Sequence, residues 1–339
     1  MISPVNLIHF NRINSKHSNT INFQGIKNAN TPSLFVFDLD GTLASANSDQ
    51  MDLIYKYAQN KNAKVVYATG RVKPEVESLQ NKLSKKGITL KNPDYLIANN
   101  GQFLYENVGG FMVGNKDYQE LLREKTGFDR ETVYDTMKEI SEKYTYNDDE
   151  LNSLENLEEV RSSDPNYYNS KISYYEWNAS DNMVEYFISS DVDIEKLKEE
   201  ISLKLLQKGV KTKFIQNRYP KPIMDACSKS ILLQSNSLRR HKDGAMSALF
   251  LCPCNKADGV DFVRSIEQVP FCEVLIAGND DNDISMANLS SKGANFICLN
   301  DSSNELIEHC RTLNENVFLA LKKGAGAIIE GINFFSSRS

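Results

Sequence analysis

Short, uninterrupted apolar runs, each ending at polar residues and glycine, are the feature that most constrains this chain. Leu34–Phe37 ends at Asp38-Leu39-Asp40-Gly41, and helical patterns separate it from two similar runs, Val65–Ala68 and Tyr95–Ala98. Strands that are buried on both faces of a parallel sheet have this composition. The alternation of strand and helix predicts an α/β fold with a doubly wound, mainly parallel sheet.

A long middle segment interrupts this pattern. Between residues 110 and 253 the strand-like runs alternate apolar and polar side chains, as in Lys171–Trp177 and Met183–Ile188. Such alternation is typical of sheets with one exposed face. We therefore predict an inserted α+β domain at 110–253, a core domain formed by 31–109 and 254–339, and a polar leader at 1–30.

Composition and charge argue against several classes of function. The chain has 339 residues, of which 40% are hydrophobic, and a net charge of −6. The negative charge disfavours nucleic-acid binding, and the lack of an apolar run of about 18 residues predicts no membrane span. Six scattered cysteines without zinc-finger spacing predict a reducing, cytoplasmic compartment. The oligomeric state is left open.

Polar clusters lie where predicted core strands end or the next helices begin. This edge of an open α/β sheet is where ligands bind. The clusters are Asp38 to Thr42, Thr69-Gly70-Arg71, Lys256 at a helix start, and Gly278-Asn279-Asp280-Asp281-Asn282-Asp283 after the strand Val274–Ala277. Their residue types are those that phosphoryl transfer requires.

The first cluster places two carboxylates two residues apart. Asp38 can attack phosphorus and form an acyl-phosphate, and Asp40 can protonate the leaving oxygen and later activate water. Gly41 permits a tight turn, and Thr42 can direct backbone donors toward a phosphate. The alternative is an ordinary strand-to-loop turn, in which Asp-Gly is common.

The other clusters supply charge compensation. Carboxylate and amide oxygens of the 278–283 segment suit Mg²⁺, although Asp280 and Asp281 are equally suited to capping a helix. Lys256 can neutralise phosphate oxygens, and Thr69-Gly70-Arg71 offers a hydroxyl, a close approach and a cation. A solvated lysine and a plain helix cap are the alternatives for these two clusters.

Taken together, the motifs resemble those of the haloacid dehalogenase superfamily of phosphohydrolases. The resemblance implies a Rossmann-like core with Asp38 as nucleophile, Asp40 as general acid/base, and Thr69 with Lys256 holding the phosphoryl group. It further implies Mg²⁺ on Asp38, the Asp40 carbonyl and Asp283, with Asn279 nearby. The family usually has aspartate where this chain has Asn279. This difference implies either a lower metal affinity or a contribution from Asp280 instead.

The position of the insert resembles the type IIB branch of that superfamily, which has an α/β cap. Asn100 and Gly101 match its Asn-Gly turn. Lys171-Ile-Ser-Tyr-Tyr and Ile328–Phe335 resemble its sucrose-phosphate phosphatase-like members, although Gly41 replaces their usual Asn. For Lys171 the alternative is an edge-strand lysine that discourages aggregation.

These observations predict a Mg²⁺-dependent phosphatase that acts on a small phosphorylated metabolite, in the first instance a sugar phosphate. The predicted substrate-binding residues are Gly41, Thr42, Gly70, Arg71, Asn100, Lys171 and Asn282. We expect the cap face that carries Lys171 to look toward the active site, above Arg71. Nearby aromatic residues suit a sugar, although packing against the cap helices is the commoner reason for such a run; they are Tyr167, Tyr168, Tyr174, Tyr175 and Trp177. The alternatives are a sugar phosphomutase and a non-catalytic binding protein on the same fold.

Overall fold

The computed structural model describes residues 32–149, 170–175, 182–219, 246–313 and 316–338. In these ranges the chain forms an α/β core and a smaller α+β unit, as predicted. The leader predicted at 1–30 lies outside the described residues. Within the described ranges, none of the helices combines the length and apolar character needed to cross a bilayer.

The strands form two sheets. The first has the order β12-β11-β10-β1-β2-β3-β4-β5 and the second the order β6-β7-β9-β8. Numbered along the chain, the strands are β1 (Leu34–Phe37), β2 (Lys64–Ala68), β3 (Tyr95–Ala98), β4 (Phe103–Val108), β5 (Phe111–Gly114), β6 (Ile172–Tyr175), β7 (Val184–Ser189), β8 (Lys213–Tyr219), β9 (Met246–Cys252), β10 (Val274–Gly278), β11 (Asn295–Cys298) and β12 (Val317–Leu319).

Helices cover both faces of the larger sheet. They are α1 (Ser48–Asn60), α2 (Lys73–Ser84), α3 (Lys116–Thr126), α6 (Lys256–Ile266), α7 (Ile284–Ala287), α8 (Asn304–Arg311) and α9 (Gly324–Ser336), while α4 (Arg130–Ser141) and α5 (Ile194–Gln207) belong to the smaller unit. Phe35 and Phe37 pack with α1 and α9, whereas Leu34 and Val36 pack with α6. The strand is apolar throughout because both of its faces are covered.

The two halves of the core pair in space. β1 lies between β2 and β10 and is parallel to both, so residues from before and after the insert form one sheet. Because these strands are parallel, their carboxyl ends lie at one edge. The doubly wound, mainly parallel sheet predicted from the sequence is confirmed.

The core extends further along the chain than predicted. β4 and β5 form an antiparallel hairpin at the edge of the core sheet, and α3 packs on the same core through Tyr118 and Leu122. The predicted boundary at residue 110 is therefore too early, and the first part of the core ends near Thr126. The side chains of β5 are largely exposed because it is an edge strand, so its pattern resembles that of the insert.

The smaller unit, called the cap below, is an antiparallel sheet with helices on one face. Val184, Tyr186 and Ile188 of β7 are buried against α4 and α5. The predicted stripe on α5 supplies Leu197, Ile201 and Leu205 to this cluster. β6 and β7 are antiparallel neighbours, as predicted. The expected exposed face is wrong for β7, because every residue of Val184–Ser189 is buried.

Candidate active site

Asp38 lies directly after β1 at the carboxyl-terminal edge of the core sheet. Its backbone N–H donates to the Ala277 carbonyl of β10 at 3.0 Å, and the Leu43 N–H donates to the Asp38 carbonyl at 3.2 Å. The intervening turn contains Gly41 with φ +73°, a left-handed conformation that glycine adopts without strain. Asp38 is only 5% exposed. The fold therefore fixes this carboxylate in a buried position.

Lys256 joins the first and last motifs. It is the first residue of α6 and is fully buried. Its Nζ donates to Asp38 Oδ1 at 2.8 Å, to Asp283 Oδ1 at 2.7 Å and to Asn282 Oδ1 at 3.2 Å. A buried ammonium with three acceptors is satisfied and is held in one place.

The charges in this cluster interact. The pKa of Asp38 is raised to about 7, mainly by burial; Lys256 opposes this rise, and Asp283 and Asp40 contribute to it. Burial by itself would lower the pKa of Lys256, but Asp283 and Asp38 raise it above its ordinary value. Lys256 therefore stays protonated and stabilises negative charge at this edge of the sheet.

Asp283 organises the loop after β10. Its Oδ2 accepts from the backbone N–H of Asn279 at 2.8 Å and of Asp280 at 3.2 Å. Gly278 is required here, since an added Cβ would lie 2.6 Å from the Asp283 carboxyl group. Asp280 Oδ1 accepts from the Asp281 N–H at 2.8 Å, which is a capping role. Both oxygens of Asp283 are thus engaged by protein groups, and its direct role as a metal ligand stays a prediction.

The Asn-Gly turn after β3 lies against the start of α6. Asn100 has φ +55°, and its Oδ1 accepts from Asn282 Nδ2 at 3.1 Å. Gly101 has φ +102°, and a Cβ added to it would lie 2.3 Å from the Asn255 carbonyl oxygen. The turn therefore packs against the backbone that immediately precedes Lys256 and helps to fix the position of Lys256. Sequence reasoning assigned Asn100 to substrate and missed Asn255, which carries no chemical signature of its own.

Thr69 and Arg71 follow β2, beside the first motif. Thr69 is buried, and its Oγ1 accepts from the Arg71 N–H at 3.1 Å. Gly70 lies against Asn100, whose Oδ1 would be 3.4 Å from an added Cβ. Arg71 donates from Nε and Nη2 to the two carboxylate oxygens of Asp40, each at 2.7 Å. In this structure Arg71, predicted to contact the substrate, pairs with Asp40.

One terminal atom of the Asn279 amide lies among three oxygens. It is 2.9 Å from Thr42 Oγ1, 2.9 Å from the Asp40 carbonyl oxygen and 3.3 Å from Asp38 Oδ2. Among the described residues there is no metal-binding group of three or more His, Cys, Asp or Glu side chains. The set here differs, because it consists of one carboxylate, one backbone carbonyl and one amide. With the amide oxygen turned inward these groups are the hard oxygen ligands that Mg²⁺ takes, and so they fit this cation.

The cap faces this edge of the core. Lys213 at the start of β8 donates to both oxygens of Asp258 in α6, at 2.5 and 2.6 Å, and β8 contacts the 281–283 turn. Lys171 forms an ion pair with Asp191 at 2.5 Å inside the cap. The predicted orientation of Lys171 toward the active site stays a prediction. Tyr174, expected to suit a sugar, packs inside the cap against Tyr134 and Tyr186. Tyr167, Tyr168 and Trp177 lie outside the described residues.

The fold and this cluster of residues agree with comparisons to known proteins. Residues 35–316 match the haloacid dehalogenase-like hydrolase family. The chain belongs to this family, and its inserted α/β cap is that of the type IIB branch. The resemblance stated from the motifs is therefore confirmed. No curated protein matches the chain.

Two solved structures share the fold. The sucrose-phosphatase of Synechocystis sp. PCC6803, solved with sucrose and phosphate, is 16% identical, with a TM-score of 0.58 over 90% of this chain and 98% of that chain. BT1666 from Bacteroides thetaiotaomicron, a phosphatase of the same superfamily, is 12% identical, with a TM-score of 0.52 over 93% of this chain and 98% of that chain. At such low identity these likenesses concern the fold.

Proposed function

We propose that the chain is a phosphatase that hydrolyses the phosphate monoester of a small metabolite through an aspartyl-phosphate on Asp38. The observation that carries the proposal is the position of Asp38, buried at the end of β1 with Oδ1 held by Lys256 at 2.8 Å. Asp40 follows two residues later, at the rim of the same edge. Family membership supports a phosphatase-type activity.

In the first step a carboxylate oxygen of Asp38 attacks phosphorus, and the bond between phosphorus and the ester oxygen breaks. The carboxylic acid form of Asp40 gives its proton to the departing oxygen. Lys256 compensates the negative charge beside the nucleophile. The Thr69 hydroxyl lies at the same carboxyl-terminal edge of the core sheet. For this step Asp40 leaves Arg71 and contacts the leaving group. The guanidinium N–H groups of Arg71 are then free to donate to phosphate oxygens.

In the second step the Asp40 carboxylate accepts a proton from water. The water oxygen attacks phosphorus, the bond between phosphorus and Asp38 breaks, and inorganic phosphate leaves. Asp38 returns as a carboxylate and Asp40 as an acid, so the protons balance. A Mg²⁺ ion held by Asp38, the Asp40 carbonyl and Asn279 would offset repulsion between the nucleophile and the phosphate.

The leaving group is the part of the substrate that the cap would select. The core site offers contacts to a phosphate and a cation and little else, and the Lys213–Asp258 pair links the cap to the core beside it. A sugar phosphate suits a cap that carries Lys171 and neighbouring tyrosines. We assign the protein to the cytoplasm because Cys252, Cys254, Cys272, Cys298 and Cys310 are free thiols.

Phosphate release from an aryl phosphate in the presence of Mg²⁺ tests the proposal, with D38N as the matched control. We expect release by the wild type and a loss of at least about a thousandfold in D38N, since the covalent route is removed. A panel of sugar phosphates then defines the leaving group, with K171M affecting sugar phosphates more than the aryl ester. Wild type as inert as D38N would contradict the enzyme assignment and favour a binding protein. Isomerised sugar phosphate without free phosphate would indicate a mutase.

A further inference from the structure

The Asn279 side chain occupies a tightly defined position. Its backbone N–H donates to Asp283 Oδ2 at 2.8 Å, and its carbonyl accepts from the Ser303 N–H at 2.9 Å. The side chain lies against Gly41, where an added Cβ would be 2.3 Å from the amide. Its two terminal atoms therefore exchange places by rotation of the amide plane, while the rest of the residue stays fixed.

Either the nitrogen or the oxygen of the Asn279 amide can face Asp38 Oδ2 and the Asp40 carbonyl. The amide nitrogen donates to these oxygens, which are 3.3 and 2.9 Å away. The amide oxygen would face two other acceptors, an arrangement that is unfavourable unless a cation lies between them. Oxygens at these separations have about the spacing of neighbouring Mg²⁺ ligands, which bind at about 2.0–2.1 Å and at right angles.

Thr42 is compatible with both orientations. Its Oγ1 lies 2.9 Å from the same Asn279 atom and is fully buried. A hydroxyl accepts from an amide nitrogen and donates to an amide oxygen. The rotation of the Asn279 amide therefore leaves the Thr42 hydroxyl with a partner in either state.

We propose that Asn279 is an exchangeable ligand: its amide nitrogen cross-links Asp38 and the Asp40 carbonyl when no cation is bound, and its amide oxygen turns inward when a divalent cation binds. The proposal rests on the Mg²⁺ requirement of the proposed function. An aspartate at this position has no N–H to donate, and it would add a further carboxylate beside Asp38 and Asp283. The asparagine thus keeps the cation-free site assembled and makes cation binding weaker.

Mg²⁺ titration calorimetry and thermal unfolding in a chelator test this inference on the full chain. We expect N279D to bind Mg²⁺ about tenfold or more tightly than wild type, since it gains a charged ligand. In the chelator N279D should unfold at a lower temperature than wild type, and saturating Mg²⁺ should raise its melting temperature by more. N279A, which lacks both terminal atoms, should lose cation affinity and chelator stability together.

D280N is the matched control, because it makes the opposite charge change one residue away and keeps a side-chain oxygen for the Asp281 N–H. We expect D280N to leave the Mg²⁺ dissociation constant within about twofold, since it removes no ligand. Equal Mg²⁺ affinity and equal chelator stability in wild type and N279D would overturn the proposal. So would a loss of affinity in D280N alone, or the absence of any divalent-cation binding by wild type. Phosphate release from an aryl phosphate at saturating Mg²⁺, compared between wild type and D38N, judges the phosphatase assignment separately.

Discussion

Arg71 holds both carboxylate oxygens of Asp40, each at 2.7 Å, in a two-point ion pair at the rim of the site. The pair is partly solvated, with 34% of the Arg71 side chain and 54% of the Asp40 side chain exposed. Exposed pairs stabilise proteins little. We therefore interpret this contact as functional: a resting arrangement in which the proposed acid/base residue, Asp40, pairs with the proposed phosphate ligand, Arg71.

Replacing Arg71 by alanine should raise the KM for a phosphate ester and lower kcat/KM by about tenfold or more, as expected for losing charge-assisted hydrogen bonds. R71K keeps the charge without the fork and should give an intermediate value. Initial rates of phosphate release at varied substrate concentration measure both. An unchanged kcat/KM in R71A would show that Arg71 neither binds the phosphate nor orients Asp40 for the reaction.

Replacing Lys256 by methionine should destabilise the fold by about 3–5 kcal/mol, because Asp38 and Asp283 remain buried without their cation. K213M is the control, since it breaks the partly exposed pair with Asp258 and should cost less than about 1 kcal/mol. Urea unfolding at neutral pH measures both variants. Similar losses of unfolding free energy in K256M and K213M would mean that burial does not make the Lys256 ion pairs more stabilising than an exposed pair.

Gly101 and Gly110 offer a comparison between a crowded and an open glycine. Both have positive φ, +102° and +93°. A Cβ added at Gly101 would lie 2.3 Å from the Asn255 carbonyl oxygen, whereas a Cβ added at Gly110 would have no heavy atom of the described, non-neighbouring residues within 4 Å. G110A should cost about 1–3 kcal/mol from backbone strain alone. G101A should cost more and should also lower kcat, because it displaces the start of α6 and with it Lys256.

Those two variants are compared by chemical unfolding and by the rate of phosphate release at saturating substrate. The expected result is a loss of kcat in G101A that G110A does not share. Equal effects on stability and no effect of G101A on kcat would argue against the support that we assign to the Asn-Gly turn.

Glu185 predicts a pH dependence of stability that lies in the cap. It is 5% exposed, and its Oε2 has no hydrogen-bond partner in the described part of the chain. Burial raises its pKa from 4.5 to about 8. The folded state therefore binds the proton more strongly than the unfolded state, and the stability that this adds is complete below pH 4.5 and is lost as pH rises toward 8.

E185Q removes this titration, since glutamine is neutral at every pH. Relative to wild type, E185Q should therefore become more stable by a few kcal/mol as pH rises from about 5 to 9. Unfolding free energies over that pH range test the expectation, with E195Q on the exposed face of α5 as control. A constant difference between wild type and E185Q across the range would contradict it.

The core of the fold was predictable because burial on both faces leaves a strong trace in sequence. β1, β2, β3 and β10 are continuous apolar runs, and parallel pairing brings their ends to one edge. The hairpin of β4 and β5 was not predictable in the same way, since an exposed edge strand has the mixed pattern of the cap. Local sequence does not distinguish the two environments.

The residue types of the site were also predictable, but their pairings were not. The order of motifs indicated Asp38, Lys256 and the 278–283 loop, which the structure brings together. The Arg71–Asp40 pair and the Asn279 amide depend on side-chain directions that only the assembled loops determine. Asn255 was missed because its contribution is a backbone carbonyl.

Asp258 belongs to two parts of the molecule at once. Its Oδ2 accepts from the Asn255 N–H at 2.7 Å, which fixes the first turn of α6, and its carboxylate also receives Lys213 of the cap. If a relative's cap were grafted onto this core, Lys213 would be replaced. Asp258, two residues from Lys256, would then keep its cap partner only if the new cap supplies one. In such a chimaera the grafted cap should carry a lysine at the position of Lys213, so that Asp258 keeps its partner from the cap.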